Sequence, residues 1–189
     1  MSDAGALFVR WRVRLGYVLA IFVLLFARPT PRSVAIGAAV GLIGLWIRAY
    51  AAGYLHKQSV LTVTGPYAYT RNPLYLGSSI LALAAGIATR SWISALILLA
   101  YFAVVYAVVM QREERELYAQ HGEAFKAYAD AVPLFLPRLA RAKVPGASAG
   151  QFSFAQYKKN HEYEAAVGFL LLLLVLLIIW LFESSMTVI

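Results

Sequence analysis

The sequence predicts an all-α fold, a polytopic membrane helix bundle of about five transmembrane helices. Three observations predict it. Hydrophobic residues make up 61% of the 189 and charged residues 14%, with a mean hydropathy of +0.68; a soluble domain averages about 45–50% apolar and about 25% charged. Apolar stretches that reach or approach the roughly 20 residues needed to cross a bilayer recur along the chain. The basic residues behind the net charge of +8 sit beside those stretches, as topology signals do, and form no patch of the kind that binds nucleic acid.

The first span runs from about Val13 to Ala27 and stops before Arg28-Pro29-Thr30-Pro31. Ahead of it, Met1–Leu7 lacks the apolar core and cleavage site of a signal peptide, and Arg10, Arg12 and Arg14 flank a retained span. The second covers about Ser33 to Tyr54, where Gly37, Gly41 and Gly44 permit close helix packing. The third and fourth form a hairpin, about Tyr75 to Ala88 and Ser91 to Met110, with Thr89-Arg90 at its tip. The fifth is Ala165 to Phe182, Leu-rich and almost featureless, which suits an anchor or an oligomer contact better than catalysis.

Two long polar segments interrupt this pattern, Leu55–Leu74 and Gln111–Glu164. In the second, Leu117, Phe125 and Tyr128 fall near one helical stripe, Pro133 and Pro137 then punctuate the chain, and Lys143–Gly150 reads as a flexible linker. Counted with the N-terminal arm, these segments hold thirteen Lys and Arg, against three (Arg28, Arg32, Arg90) on the other side. The positive-inside rule puts the N-terminus and both polar segments in the cytoplasm and the C-terminal tail outside. Arg48 lies within the second span, where an ionisable residue either serves function or snorkels.

Cysteine is absent, which removes disulfides, thiolate–zinc sites and a cysteine nucleophile. His56, His121 and His161 show no metal-ligand spacing. The tyrosines at 101 and 106 read as packing residues. The chemistry therefore rests on the polar segments. Gly65-Pro66 is a turn signal, and Pro73 suits the first turn of a helix. That places Arg71 and Asn72 at a helix N-terminus, where unpaired backbone N–H groups favour an anion and a guanidinium can clamp a carboxylate. The same pattern also fits an interfacial loop with aromatic anchors at Tyr67, Tyr69 and Tyr75. Glu113 and Glu114, beside the end of the fourth span, suit an ammonium, a sulfonium or a ribose hydroxyl, or else a solvated helix with an Arg112–Glu116 pair.

Taken together, Gly65-Pro66-Tyr67…Arg71-x-Pro73-x-Tyr75-x-Gly77 and Glu113-Glu114…Leu117…Gly122…Tyr128…Val132-Pro133…Pro137 resemble the isoprenylcysteine carboxyl methyltransferases and their bacterial relatives. Asn72, where those enzymes usually carry His, makes Asn72-Pro73-x-Tyr75-x-Gly77-Ser78 similar instead to the phospholipid N-methyltransferases. The resemblance implies a pocket for S-adenosylmethionine at the cytoplasmic face. Gly65, Tyr67, Arg71, Asn72, Pro73, Tyr75, Gly77, Glu113 and Glu114 would border the cofactor, with Arg71 and Glu114 also serving the chemistry. His56, the one histidine near the first polar segment, is a candidate general base for an ammonium acceptor or else a structural interfacial residue. The acceptor it implies is a lipid amine, an isoprenylcysteine-type carboxylate or another small amphipathic molecule entering from the bilayer. Residues 1–140 would form the methyltransferase core, 141–162 a linker and 163–189 an additional transmembrane helix. A nicotinamide-dependent reductase of sterol-like substrates, a small transporter and a non-catalytic membrane scaffold are the rival readings.

Overall fold

The structure, a computed structural model, describes residues 18–56, 60–144 and 150–186. Among them the regular elements are all helical: α1 (residues 18–25), α2 (Pro31–Tyr54), a 3-10 turn at Gly65–Ala68, α3 (Pro73–Thr89), α4 (Trp92–His121), α5 (Glu123–Ala131), α6 (Phe154–Lys159) and α7 (Tyr163–Met186).

Helices α2, α4 and α7 are long and apolar enough to cross a membrane, and α3 is a shorter apolar helix. The sequence pattern suggests five spans; the described residues contain three clear ones and this shorter fourth. The start of the expected first span lies outside the described residues. Helix α3 is short because both its ends are fixed. Pro73 occupies its first turn, and Arg90 takes a left-handed conformation (φ 51°) that ends it. Its 17 residues extend about 26 Å at 1.5 Å each, a little less than the ~30 Å hydrocarbon layer.

Helix α2 starts at a full capping box. Ser33 N–H donates to Thr30 Oγ1 (3.1 Å), and Thr30 N–H donates to Ser33 Oγ (2.9 Å), which satisfies two end donors reciprocally. Along its length α2 packs on α3 with almost no side chain between them at one level. A Cβ on Gly44 would stand 2.8 Å from the Gly77 carbonyl oxygen, and a Cβ on Gly77 equally close to that of Gly44. Helix α7 closes the other side, with Leu176 buried among Ala27, Val34 and Ala88 and the Phe169 ring lying over Gly41.

The fourth span is expected to end near Met110, but α4 continues to His121. Residues 111–121 contain neither Gly nor Pro, so nothing breaks the ladder until Gly122, at φ 53°. An Arg112–Glu116 pair at 2.7 Å supports the extension. Thirty residues span about 45 Å, so the last turns stand clear of the hydrocarbon layer and Glu113 and Glu114 project from a continuous helix.

A covering segment folds back over this end of the bundle. Phe125 and Tyr128 of α5 are buried with Val63, Val132 and Ala142, and Leu117 packs against them. Backbone bonds fix the segment to the loop before α3. Arg71 N–H donates to Pro133 O (3.0 Å), Arg138 N–H to Tyr69 O (2.9 Å) and Ala142 N–H to Ala68 O (2.9 Å). At the opposite end, Arg28 pairs with Glu183 at 2.9 Å.

Candidate functional site

The exit of α2, the start of α3, the projecting part of α4, the covering segment and the start of α7 enclose a cavity of about 880 Å³. That falls within the ~300–1,000 Å³ usual for small-molecule sites. Eight of the ten candidate cofactor and catalytic residues line it: His56, Tyr67, Arg71, Asn72, Pro73, Tyr75, Glu113 and Glu114. Gly65 and Gly77 do not. Gly65 takes φ +60° to start the 3-10 turn and leaves no room for a Cβ beside the Tyr54 ring. Gly77 serves the close approach of α2 and α3.

Each polar residue is held by its neighbours. Tyr75 donates from its hydroxyl to Glu113 Oε1 (2.6 Å), and the Tyr106 ring, 4.7 Å from that of Tyr75, packs against it. Arg71 forms an ion pair with Glu114. The pair runs through Arg71 Nη1 and lacks hydrogen-bond geometry, and Glu114 Oε1 and Arg71 Nε are each buried with no hydrogen-bond partner among the described residues. Asn72 caps no helix with its side chain; its amide donates to Leu134 O (2.9 Å) and tethers the covering segment. Thr70 Oγ1 reinforces that tether through Phe135 O (2.8 Å).

Tyr67 shows the largest mismatch between burial and partners. Its ring is buried and its hydroxyl has no hydrogen-bond partner among the described residues, a state that costs about 1–3 kcal/mol unless a ligand relieves it. Burial, helped by the nearby Tyr128 and Glu113, pushes its phenol well above the usual range, so the hydroxyl remains a donor. Burial raises the Tyr128 phenol likewise, and its hydroxyl donates to Tyr67 O (2.8 Å).

The far wall escapes sequence reasoning. Asn160, His161, Glu162, Glu164 and Ala165, from the end of the expected linker and the start of the last helix, also line the cavity. Glu162 is buried and pairs with Arg48, whose guanidinium also bonds Ser78 Oγ and reaches Leu74 O (3.4 Å). Arg48 thus does not snorkel; it joins α2, α3 and the start of α7. No local pattern signals a pair 114 positions apart. The only hint is an arginine inside an apolar span.

Charge is concentrated here against the overall balance of the chain. Glu113, Glu114, Glu116, Glu162 and Glu164, five of its nine acidic residues, line the cavity. Among the described residues, the two guanidinium groups in the wall, Arg48 and Arg71, are already paired with Glu162 and Glu114. The surplus is negative, which favours a cationic ligand.

Fold and site together define a polytopic membrane helix bundle with a carboxylate-rich cavity where its polar segments converge. Residues 33–124 match the family model described as phospholipid methyltransferase. The chain is 32% identical over 138 residues to the cobalt-zinc-cadmium resistance protein CzcN of Cupriavidus metallidurans, covering 68% of this chain and 62% of that protein. It is 35% identical over 105 residues to the nickel-cobalt-cadmium resistance protein NccN of Alcaligenes xylosoxydans xylosoxydans, covering 55% of this chain and 48% of that one. The match therefore spans about half to three-fifths of the length of these relatives. Among the described residues, no group of three or more His, Cys, Asp or Glu side chains is placed to hold a metal ion.

Proposed function

We propose that the protein transfers a methyl group from S-adenosylmethionine to a lipid-like acceptor at the cytoplasmic face of the membrane. The observation that carries this reading is the cavity itself, which gathers Tyr67, Arg71, Tyr75, Glu113 and Glu114 from both halves of the motif pattern. The family model that residues 33–124 match supports methyl transfer by its description. The cytoplasmic placement rests on the excess of Lys and Arg in the segments that build the cavity.

The residues present fit the cofactor. Arg71 Nε and the Tyr67 hydroxyl are unmet buried donors, suited to the oxygens of a carboxylate or a ribose. Glu113 and Glu114 offer negative charge to an ammonium and a sulfonium. S-adenosylmethionine, when bound, supplies a methyl group already activated on positive sulfur. The protein's own tasks are to align the acceptor with that methyl and to keep water out. The covering segment, tied down through Asn72 and Thr70, excludes water. Among the proton acceptors in the wall, His56 stands at the exit of α2.

The charge balance supports an amine over a carboxylate as acceptor. An acidic acceptor would need a cation in the wall, and among the described residues the two guanidinium groups there each already face a glutamate. The test is methyl incorporation from methyl-labelled S-adenosylmethionine into organic-extractable lipid, in membranes holding the protein. Phosphatidylethanolamine and a prenylated cysteine would be supplied as rival acceptors. Labelling of the amine lipid is the expected result; labelling of the carboxylate alone would overturn the acceptor assignment, and labelling of neither would overturn methyl transfer.

A further inference from the structure

The three histidines of the chain, far apart in sequence, all reach the wall of the same cavity. They differ in what holds them. His121 stands in the last turn of α4, where a helix C-terminus favours an imidazole for structural reasons. His56 leaves α2 with its backbone N–H on Thr62 Oγ1 at 3.3 Å. Among the described residues, only His161 has a carboxylate at hand: its Nδ1 lies 3.6 Å from Glu164 Oε1 and 3.0 Å from the Tyr163 hydroxyl.

The backbone of His161 is also unusual. It takes φ +55°, a conformation that costs a non-glycine residue free energy and persists only where its surroundings impose it. Both neighbours do so. On one side, Asn160 Nδ2 donates to Ala52 O (2.8 Å) and Leu55 O (3.0 Å) at the end of α2. On the other, Glu162 is held by Arg48. A histidine thus stands in a left-handed turn in the cavity wall, its Nδ1 hydrogen-bonded to the Tyr163 phenol and close to the Glu164 carboxylate.

We propose that His161 is the proton acceptor of the reaction, an assignment that rests on the methyl-transfer reading above. An amine acceptor arrives as ammonium, with no lone pair to react. With Nδ1 hydrogen-bonded to the Tyr163 hydroxyl and Glu164 nearby, His161 presents Nε2 as the base. Nε2 takes the ammonium proton, and the nitrogen lone pair so freed takes the methyl carbon, while the sulfur keeps the electrons of the C–S bond that breaks. The exposed imidazole then releases its proton to water. Arg48 and Glu162 act as positioning residues for this turn. Arg48 and His56 from α2 and its exit, and Glu116 and His121 from α4, are other charged or titratable groups of the shared wall.

The test is His161→Gly, since glycine adopts φ +55° without strain and leaves the turn intact. Two quantities are measured in the full-length protein: binding of S-adenosylhomocysteine, and methyl incorporation into vesicles containing phosphatidylethanolamine. The variant is expected to bind S-adenosylhomocysteine as the wild type does, to lose about 10²–10⁴-fold in turnover, and to recover part of it in added imidazole. Wild-type turnover in the variant, or a loss that imidazole does not relieve, overturns the assignment and leaves methyl transfer standing. Failure of the folded wild-type protein to bind S-adenosylhomocysteine would instead remove the reading on which the assignment rests.

Discussion

Arg28 with Glu183 and Arg48 with Glu162 are the same kind of ion pair, each joining the α2 region to α7, one at each end of the bundle. They live in different surroundings. The side chains of the first pair are 72% and 35% exposed, those of the second 21% and 8%. In water such a pair is worth about 0–1 kcal/mol, because solvent screens it and two side chains must be held still. Away from water, attraction and desolvation are both large, and removing one partner strands the other charge. The far end therefore tolerates change, whereas the cavity end uses paired charge to hold a site in shape.

Glu162→Ala sharpens this contrast most. It leaves Arg48 partly buried without a counter-charge and should cost about 3–5 kcal/mol, read as a lowered thermal midpoint in detergent. The double change Arg48→Met with Glu162→Leu should restore most of that loss, because an apolar pair of similar volume carries no desolvation penalty. If Glu162→Ala melts like the wild type, the pair does not organise this end.

Alkaline pH is the next probe, because the cavity end also buries the Tyr67 and Tyr128 phenols. Their raised folded-state values mean that the unfolded chain loses its phenolic protons first. The stabilisation is full below the unfolded phenol value of about 10 and is lost as pH rises beyond it, by up to about 1.4 kcal/mol per pH unit for each phenol. Unfolding curves between neutral and strongly alkaline pH should show this slope, and Tyr67→Phe should reduce it.

Tyr67→Phe makes a second, smaller point. It removes a buried hydroxyl that has no partner among the described residues, so stability should hold or rise. Binding of S-adenosylhomocysteine should weaken by about 0.5–1.5 kcal/mol, the net worth of one hydrogen bond. Glu183→Gln, at the far end, should change stability by less than about 1 kcal/mol and leave binding untouched.

How much of this is legible in the sequence depends on the reach of the signal. Pro73 announces the start of α3, and Phe125 and Tyr128 announce the packed face of α5, because both are local consequences of proline and helical spacing; Leu117 meets them from α4 across the break at Gly122. Tyr67, Arg71, Asn72, Pro73 and Tyr75 from one motif and Glu113-Glu114 from the other line one cavity. Helical character after the fourth span is legible in the spacing of residues 112–116, but its continuity with α4 is not, because the apolar pattern that marks the span stops at Met110 while the helix runs on to His121. Glu162 and His161 are hidden for a different reason. They lie in a polar stretch with no motif, and their meaning comes from Arg48 and from the end of α2, which only the folded chain brings near.

The most direct test of the central claim is calorimetric titration of the detergent-purified protein with S-adenosylhomocysteine, beside Glu114→Gln. The account predicts micromolar binding by the wild type and its loss in a variant that still melts cooperatively. A folded wild-type protein that binds no S-adenosylhomocysteine would contradict it.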